Sequence, residues 1–293
     1  MNHTDREIRK RTHCVRTVLW GTLFANWAIA AAKLIFGLSI ESTALIADSL
    51  HSFLDGTSNI IGLVAIHLSS KPADREHPYG HQKFEALAAL AIGVLIGMGG
   101  LELGRMAWTA VFHNAHPVVT PEAFGMMLVS ITINLTVTRI ESVWGRKLRS
   151  TLLLADAQHT MSDVFVTIAV TLSLFLSWLG VSRIDGLVAI GILIFVAWTG
   201  WNVIRQAAGI LADTARVDPQ KISEVCRALP HVSTVFDIRS RGMEGSVYVD
   251  LKVGVAPHLT VENAHCVADS IERALPESFP EIVDVVVHIE PHG

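Results

Sequence analysis

Six long apolar stretches limit what this chain can fold into. They run near residues 14–38, 44–69, 85–112, 118–141, 151–179 and 184–207, and each is long enough as a helix to cross roughly 30 Å of hydrocarbon. In lipid every backbone N–H and C=O must be satisfied within the structure itself, so separate apolar spans of this length are helices. Of 293 residues, 51% are hydrophobic and only 17% charged, where a soluble protein carries about 25% charged. After about residue 210 the apolar runs shorten and alternate with ordinary charge. The sequence therefore predicts an all-α membrane domain of six transmembrane helices over residues 1–209, followed by a small α+β domain over residues 210–293.

The basic residues orient the spans. "REIRKR" precedes the first, Lys71, Arg75 and Lys83 lie between the second and third, and "RIESVWGRKLRS" joins the fourth to the fifth. The loops on the other side, around 39–43, 113–119 and 180–184, hold one Arg between them. The excess of Lys and Arg marks the cytoplasmic side, so both termini are expected there. Three cysteines, Cys14, Cys226 and Cys266, at or near that side do not suggest a disulfide framework. A net charge of −4 and the lack of a basic, aromatic-rich patch give no reason to expect a nucleic-acid partner.

One pattern occurs twice where ionisable groups are costly. "ADSLHSFLD" opens the second span and "ADAQHTMSD" the fifth, and each leads into an apolar run. Helical residues four apart share a face, so His51 projects with Asp55 and His159 with Asp163. Side by side, the two helices offer two imidazole nitrogens and two carboxylate oxygens. That is a four-coordinate N/O set suited to Zn²⁺, and two carboxylates neutralise a dication in a low-dielectric interior. Asp48 and Asp156, one turn earlier, either orient an imidazole or line an access path. The loop "PADREHPYGHQK" adds a second cluster: Asp74, His77 and His81, punctuated by Pro72, Pro78 and Gly80, with Glu76 as a competing carboxylate. Three such ligands on a constrained turn hold a metal with one position open.

These paired stretches, the "KPADREHPYGHQKFE" loop and the six spans before a small domain resemble the cation diffusion facilitator family over nearly the whole chain. The resemblance implies a homodimeric exporter that exchanges a divalent cation for protons. It maps the transport site onto His51, Asp55, His159 and Asp163, a second metal onto Asp74, His77 and His81, and a charge interlock onto Lys83 and Asp213. It also implies a multi-pass protein of the cell inner membrane, in contact with lipid. His at the first cage position resembles the zinc-selective branch, and imidazole suits Zn²⁺ better than Mn²⁺. The loop between spans four and five lacks the His-rich run common in zinc-selective relatives, which leaves Fe²⁺, Co²⁺ and Cd²⁺ open beside Zn²⁺.

In the C-terminal part, residues 217–229 read as a helix, "VFDIRSR" and "SVYVDLKVGV" as strands about a Gly-bearing turn, 260–275 as a Thr-capped helix, and "IVDVVVHIE" as a last strand. The order αββαβ resembles the metallochaperone-like domain of the same family. Its candidate ligands are Asp250, His265, His288 and Glu290, the last two sharing a strand face. Phe236 stands where a His ligand can occur. An enzyme is not expected: an intramembrane metalloprotease needs His-Glu-x-x-His, and the chain has no His-Glu dipeptide. The remaining alternative is a membrane-anchored metal sensor whose cytoplasmic domain is the functional part.

Overall fold

The computed structural model describes the backbone of residues 3–39, 43–113, 121–178, 185–243 and 245–292. Six long helices come first: α1 (His3–Ser39), α2 (Thr43–Ser69), α3 (Lys83–His113), α4 (Pro121–Lys147), α5 (Thr151–Trp178) and α6 (Asp185–Leu211). The chain divides into two compact units, Met1–Ala208 and Gly209–Gly293. Among the described residues, Lys10–Phe36, Lys83–Leu101 and Gly125–Lys147 are long and apolar enough to cross a membrane, and Gly56–Ser69 is a shorter apolar helix.

The helical unit packs around Leu19 of α1, Ile66 of α2, Ile92 and Ile96 of α3, Leu152 and Leu153 of α5, and Val196 and Val203 of α6, all buried. Large apolar side chains also point outward, among them Phe24, Ile35, Leu101, Ile194 and Trp198. In water such a surface would be a liability; in hydrocarbon it is the expected coat. Helix α3 approaches α6 so closely that a Cβ on Gly93 would stand 2.8 Å from Ile204 Cγ1. Polar groups tie the helix ends. Arg11 of α1 donates to Glu85 of α3 at 3.0 and 2.9 Å and to the carbonyls of Leu148 and Arg149 at 2.8 and 3.2 Å. Ser150 Oγ also donates to Glu85, and it caps α5 by accepting from Leu153 N.

Helix α4 departs from expectation. The apolar pattern ends near residue 141, yet the helix runs on to Lys147, and Glu141 is completely buried. A charged residue that reads as the end of a span is therefore an interior one.

The second unit holds α7 (Pro219–Arg227), β1 (Thr234–Met243), β2 (Ser246–Val255), α8 (Val261–Ser278) and β3 (Ile282–Pro291), the αββαβ order expected. Asp218 caps α7 by accepting from Gln220 N, with Pro219 as its first residue. The helix is thus shorter at both ends than the apolar stripe suggests. Thr260 caps α8 through Asn263 N. β1 pairs antiparallel with β2, and β2 parallel with β3. The inward face, with Val247, Val249, Leu251 and Val253, packs on Ile222, Ile271 and Leu275 of the helices. β1 is not a regular alternation: a bulge falls between Phe236 and Arg239, with Asp237 at φ 51°.

Candidate metal sites

Four helices surround a polar cavity in the first unit. Its lining is Asn26 and Ile29 of α1, Ser52 of α2, Asn134 of α4, and His159, Thr160 and Asp163 of α5. His159 is buried and Asp163 half-buried, with Nδ1 and Oδ2 3.9 Å apart. Spacing of four on α5 therefore does put imidazole and carboxylate on one face, and that face opens on a cavity. Both His51 and Asp55 fall within α2, but their side chains lie outside the described residues, as does that of Asp48. Ser52, adjacent to His51 in the chain, is described, and its hydroxyl accepts from the buried Lys33 Nζ at 2.8 Å.

Asp156, one turn before His159, makes a contact beyond the two roles expected of it. Its Oδ2 accepts from Asn59 Nδ2 at 2.6 Å, a tie between α5 and α2. Asn59 is held in turn, accepting from Asn26 Nδ2 and donating to Thr22 Oγ1, both at 3.1 Å. Sequence reasoning passed over Asn26, Asn59, Asn134 and Lys33. The available signal was their position: Asn and Lys inside apolar spans are costly unless they serve a cavity or each other.

Between α2 and α3 the expected trio comes together. One ligand atom from each of Asp74, His77 and His81 can be chosen so that all lie within 4.8 Å of one another, and this is the only such cluster among the described residues. The backbone makes the arrangement. Gly80, at φ 82°, takes a left-handed conformation that glycine adopts without cost. It donates to His77 O at 2.9 Å, and Asp74 N donates to the same carbonyl at 3.2 Å. Asp74 Oδ1 accepts from the backbone N–H of His77 at 2.7 Å and of Glu76 at 3.0 Å. The His77 bond chiefly holds the Asp74 carboxyl below its usual range, because a carboxylate that accepts N–H bonds prefers its charged form. His81 is buried, with Nδ1 3.1 Å from Pro72 O. A carbonyl only accepts, so Nδ1 donates there, and Nε2, 3.4 Å from Asp74 Oδ2, is the ring nitrogen that faces the cluster. Phe84 stacks against the His81 ring at 5.9 Å. Glu76 contributes its backbone rather than its carboxylate to this cluster. An ionised carboxylate and an imidazole of fixed orientation make a donor set that fits a divalent metal with a position to spare.

The C-terminal candidates are dispersed. Asp250 of β2 is bonded by Arg241 of β1. His265 is exposed on α8, 3.7 Å from Asp269. His288 and Glu290 do share a face of β3 at 3.6 Å, but Lys252 Nζ lies 3.2 Å from Glu290 Oε1 and 3.7 Å from Asp237 Oδ2. Lys252 is opposite both Phe236 and His288 in the sheet register. An ammonium thus lies among the carboxylates of this face.

Comparison with known proteins agrees with this architecture. Residues 19–212 match the model of the cation efflux transmembrane domain, and residues 215–292 that of the cation efflux protein cytoplasmic domain. The chain is 32% identical over 290 residues to the cation-efflux pump FieF of Cronobacter sakazakii, covering 93% of this chain and 94% of that one. It is 28% identical over 273 residues to the uncharacterised transporter MJ0449 of Methanocaldococcus jannaschii, covering 92% and 95%. Among solved structures, the MamM C-terminal domain is similar at 27% identity, covering 25% of this chain and 92% of that one with a TM-score of 0.24. The chain belongs to the cation diffusion facilitator family of cation efflux transporters.

Proposed function

We propose that this transporter exports Zn²⁺ in exchange for protons by alternating access, with a cage of His51, Asp55, His159 and Asp163 as its transport site. The observation that carries the reading is the α5 pair: a buried imidazole and a carboxylate on one face, opening on a polar cavity that α2 also lines. Two imidazoles and two carboxylates give the mixed N/O, four-coordinate set that Zn²⁺ accepts readily, while Fe²⁺, Co²⁺ and Cd²⁺ remain substrates to compare. Metal binding needs neutral imidazoles and ionised carboxylates, so loading the cage releases protons and protonation releases metal.

The Asp74, His77 and His81 trio serves as a resident metal site on the cytoplasmic side, where a bound metal would stiffen the link between α2 and α3. The C-terminal domain pairs two chains into a homodimer in the cell inner membrane, with both termini in the cytoplasm. Under this reading Asp250, His265, His288 and Glu290 meet a metal only across the dimer. A sensor that uses its helices as an anchor is not favoured, because the family match covers the helical unit as well as the soluble one.

Metal flux into vesicles containing the purified protein, measured over a panel of divalent cations, tests the substrate. Zn²⁺ is expected to lead, and His51→Asp to shift the ranking toward Cd²⁺ or Mn²⁺ by making the cage richer in oxygen. A ranking led by another metal in the unaltered protein refutes the zinc assignment, and one unmoved by His51→Asp removes His51 from the cage.

A further inference from the structure

Outside the cavity lining lies a carboxyl pair that the cage does not use. Glu141 of α4 is fully buried, and Asp156 of α5 nearly so. The two carboxyls bear on each other, and Thr22 of α1 and Asn59 of α2 lie beside Glu141. Ser58 of α2 and, one turn along α5, His159 bear on Asp156. Among the described residues these neighbours include no Lys or Arg, and the titratable groups facing the pair are each other and His159.

The protons of Thr22 and Asn59 are already committed, and the Ser58 hydroxyl bears on Asp156, not on Glu141. Thr22 donates its only hydroxyl proton to Leu19 O at 3.3 Å. Asn59 directs one amide proton to Asp156 Oδ2 and the other to Thr22 Oγ1. Glu141 Oε1, Glu141 Oε2 and Asp156 Oδ1 are left buried with no donor. Buried acceptors without partners are costly, and two bare carboxylates in contact within an apolar bundle are far more so. Something positive must sit between them. A metal ion asks for several converging oxygens, but Asn59 turns the positive end of its amide toward the pair, and its own Oδ1 is taken by Asn26. One shared proton resolves the conflict: it supplies the missing donor and cancels one charge.

We propose that Glu141 and Asp156 form a proton-binding site, separate from the metal cage, whose shared proton leaves when metal enters the cage. The link is structural. Asp156 is one helical turn from His159, and its bond to Asn59 joins the same two helices, α2 and α5, that carry the cage residues. A dication arriving next to the pair favours its doubly ionised form, and any shift of α5 against α2 alters the Asn59 bond. The role in transport rests on the proton-exchange reading above.

The test counts protons released when Zn²⁺ binds to the full chain in detergent and weak buffer, comparing the unaltered protein with Glu141→Gln. The amide keeps the shape and supplies an N–H to Asp156 but has no proton to give up. Proton release is expected to fall by about one per chain, the share of a single carboxyl pair, with zinc stoichiometry unchanged. The protonated-carboxyl stretching band of the metal-free protein should also disappear from the infrared spectrum. Should Glu141→Gln fail to fold, Asp156→Asn reads the same release. Equal proton release in a folded variant, or no protonated-carboxyl band in the unaltered protein, overturns the proposal. Loss of one bound zinc per chain in Glu141→Gln overturns it in favour of a second metal site. Zinc flux that ignores a pH gradient in the unaltered protein would instead sink the exchange reading, while the proton count still judges the pair.

Discussion

The loop before α3 and the outer face of the C-terminal sheet carry the same kinds of ligand, yet among the described residues only the loop brings three of them together. In the loop, a glycine turn and two backbone N–H bonds place Asp74 against His77 and His81 with no basic side chain among them. On the sheet, strand register puts Lys252 beside His288 and within reach of Glu290, and Arg241 onto Asp250. Ligand identity is therefore a weaker guide than what else shares the face. A carboxylate already neutralised by a lysine offers a metal little until the lysine leaves.

Removing the Asp74 carboxylate should break this contrast most severely. Asp74→Ala deletes a ligand and the acceptor of two backbone N–H groups, and loop affinity should fall at least about 100-fold, the upper range for losing a group that merely supports a ligand. Cobalt titration of the full chain, followed by its absorption spectrum, reads this directly; unchanged affinity would mean the trio is no metal site. Gly80→Ala should cost less. Space is open, the nearest atom being Ala73 N at 3.9 Å, so only the left-handed backbone is penalised, by roughly 1–2 kcal/mol. That amounts to about a tenfold loss of affinity in the same titration.

Lys252→Ala should narrow the contrast from the other side by freeing Glu290 and Asp237. An exposed pair of this kind is worth up to about 1 kcal/mol, so metal affinity of the C-terminal domain should rise about fivefold, measurable by calorimetry of the full chain. No gain would show that Lys252 is not what keeps metal away. The smallest effect expected is that of Asp74 under mild acid. Its folded value lies below the usual 3.8, so its contribution is present above that ordinary value and lost only as pH falls through the lowered one. Between about pH 7 and 5 the Asp74 carboxylate should therefore stay ionised and keep its hold on the loop metal. A pH titration of metal release with a carboxylate-like midpoint in that range would contradict this.

Much of the architecture is legible from pattern alone. Apolar runs of membrane length announce six helices, and the Thr260 cap and the alternation of 246–255 announce the later elements. The spacing of His159 and Asp163 is enough to place them on one face, and Pro and Gly around Asp74 announce a turn. Two things were not readable in this way. Glu141 looks like a span terminus, because a charge following an apolar run is the usual sign of the membrane edge; burial by α1, α2 and α5 is a tertiary fact. Asp237 reaches Lys252 because β1 bulges after Phe236, and nothing in a regular strand pattern announces a bulge. The intrusion of Lys252 itself was readable: it is two residues from Asp250 and so shares its face.

Zinc movement in vesicles under an imposed pH gradient, with and without Asp163→Ala, tests the central claim most directly. Zinc flux should accelerate when protons can run in the opposite direction, protons should move counter to zinc, and folded Asp163→Ala protein should lose both fluxes together. Zinc transport indifferent to the gradient, or undiminished in Asp163→Ala, would contradict a proton-exchanging cage built on α5.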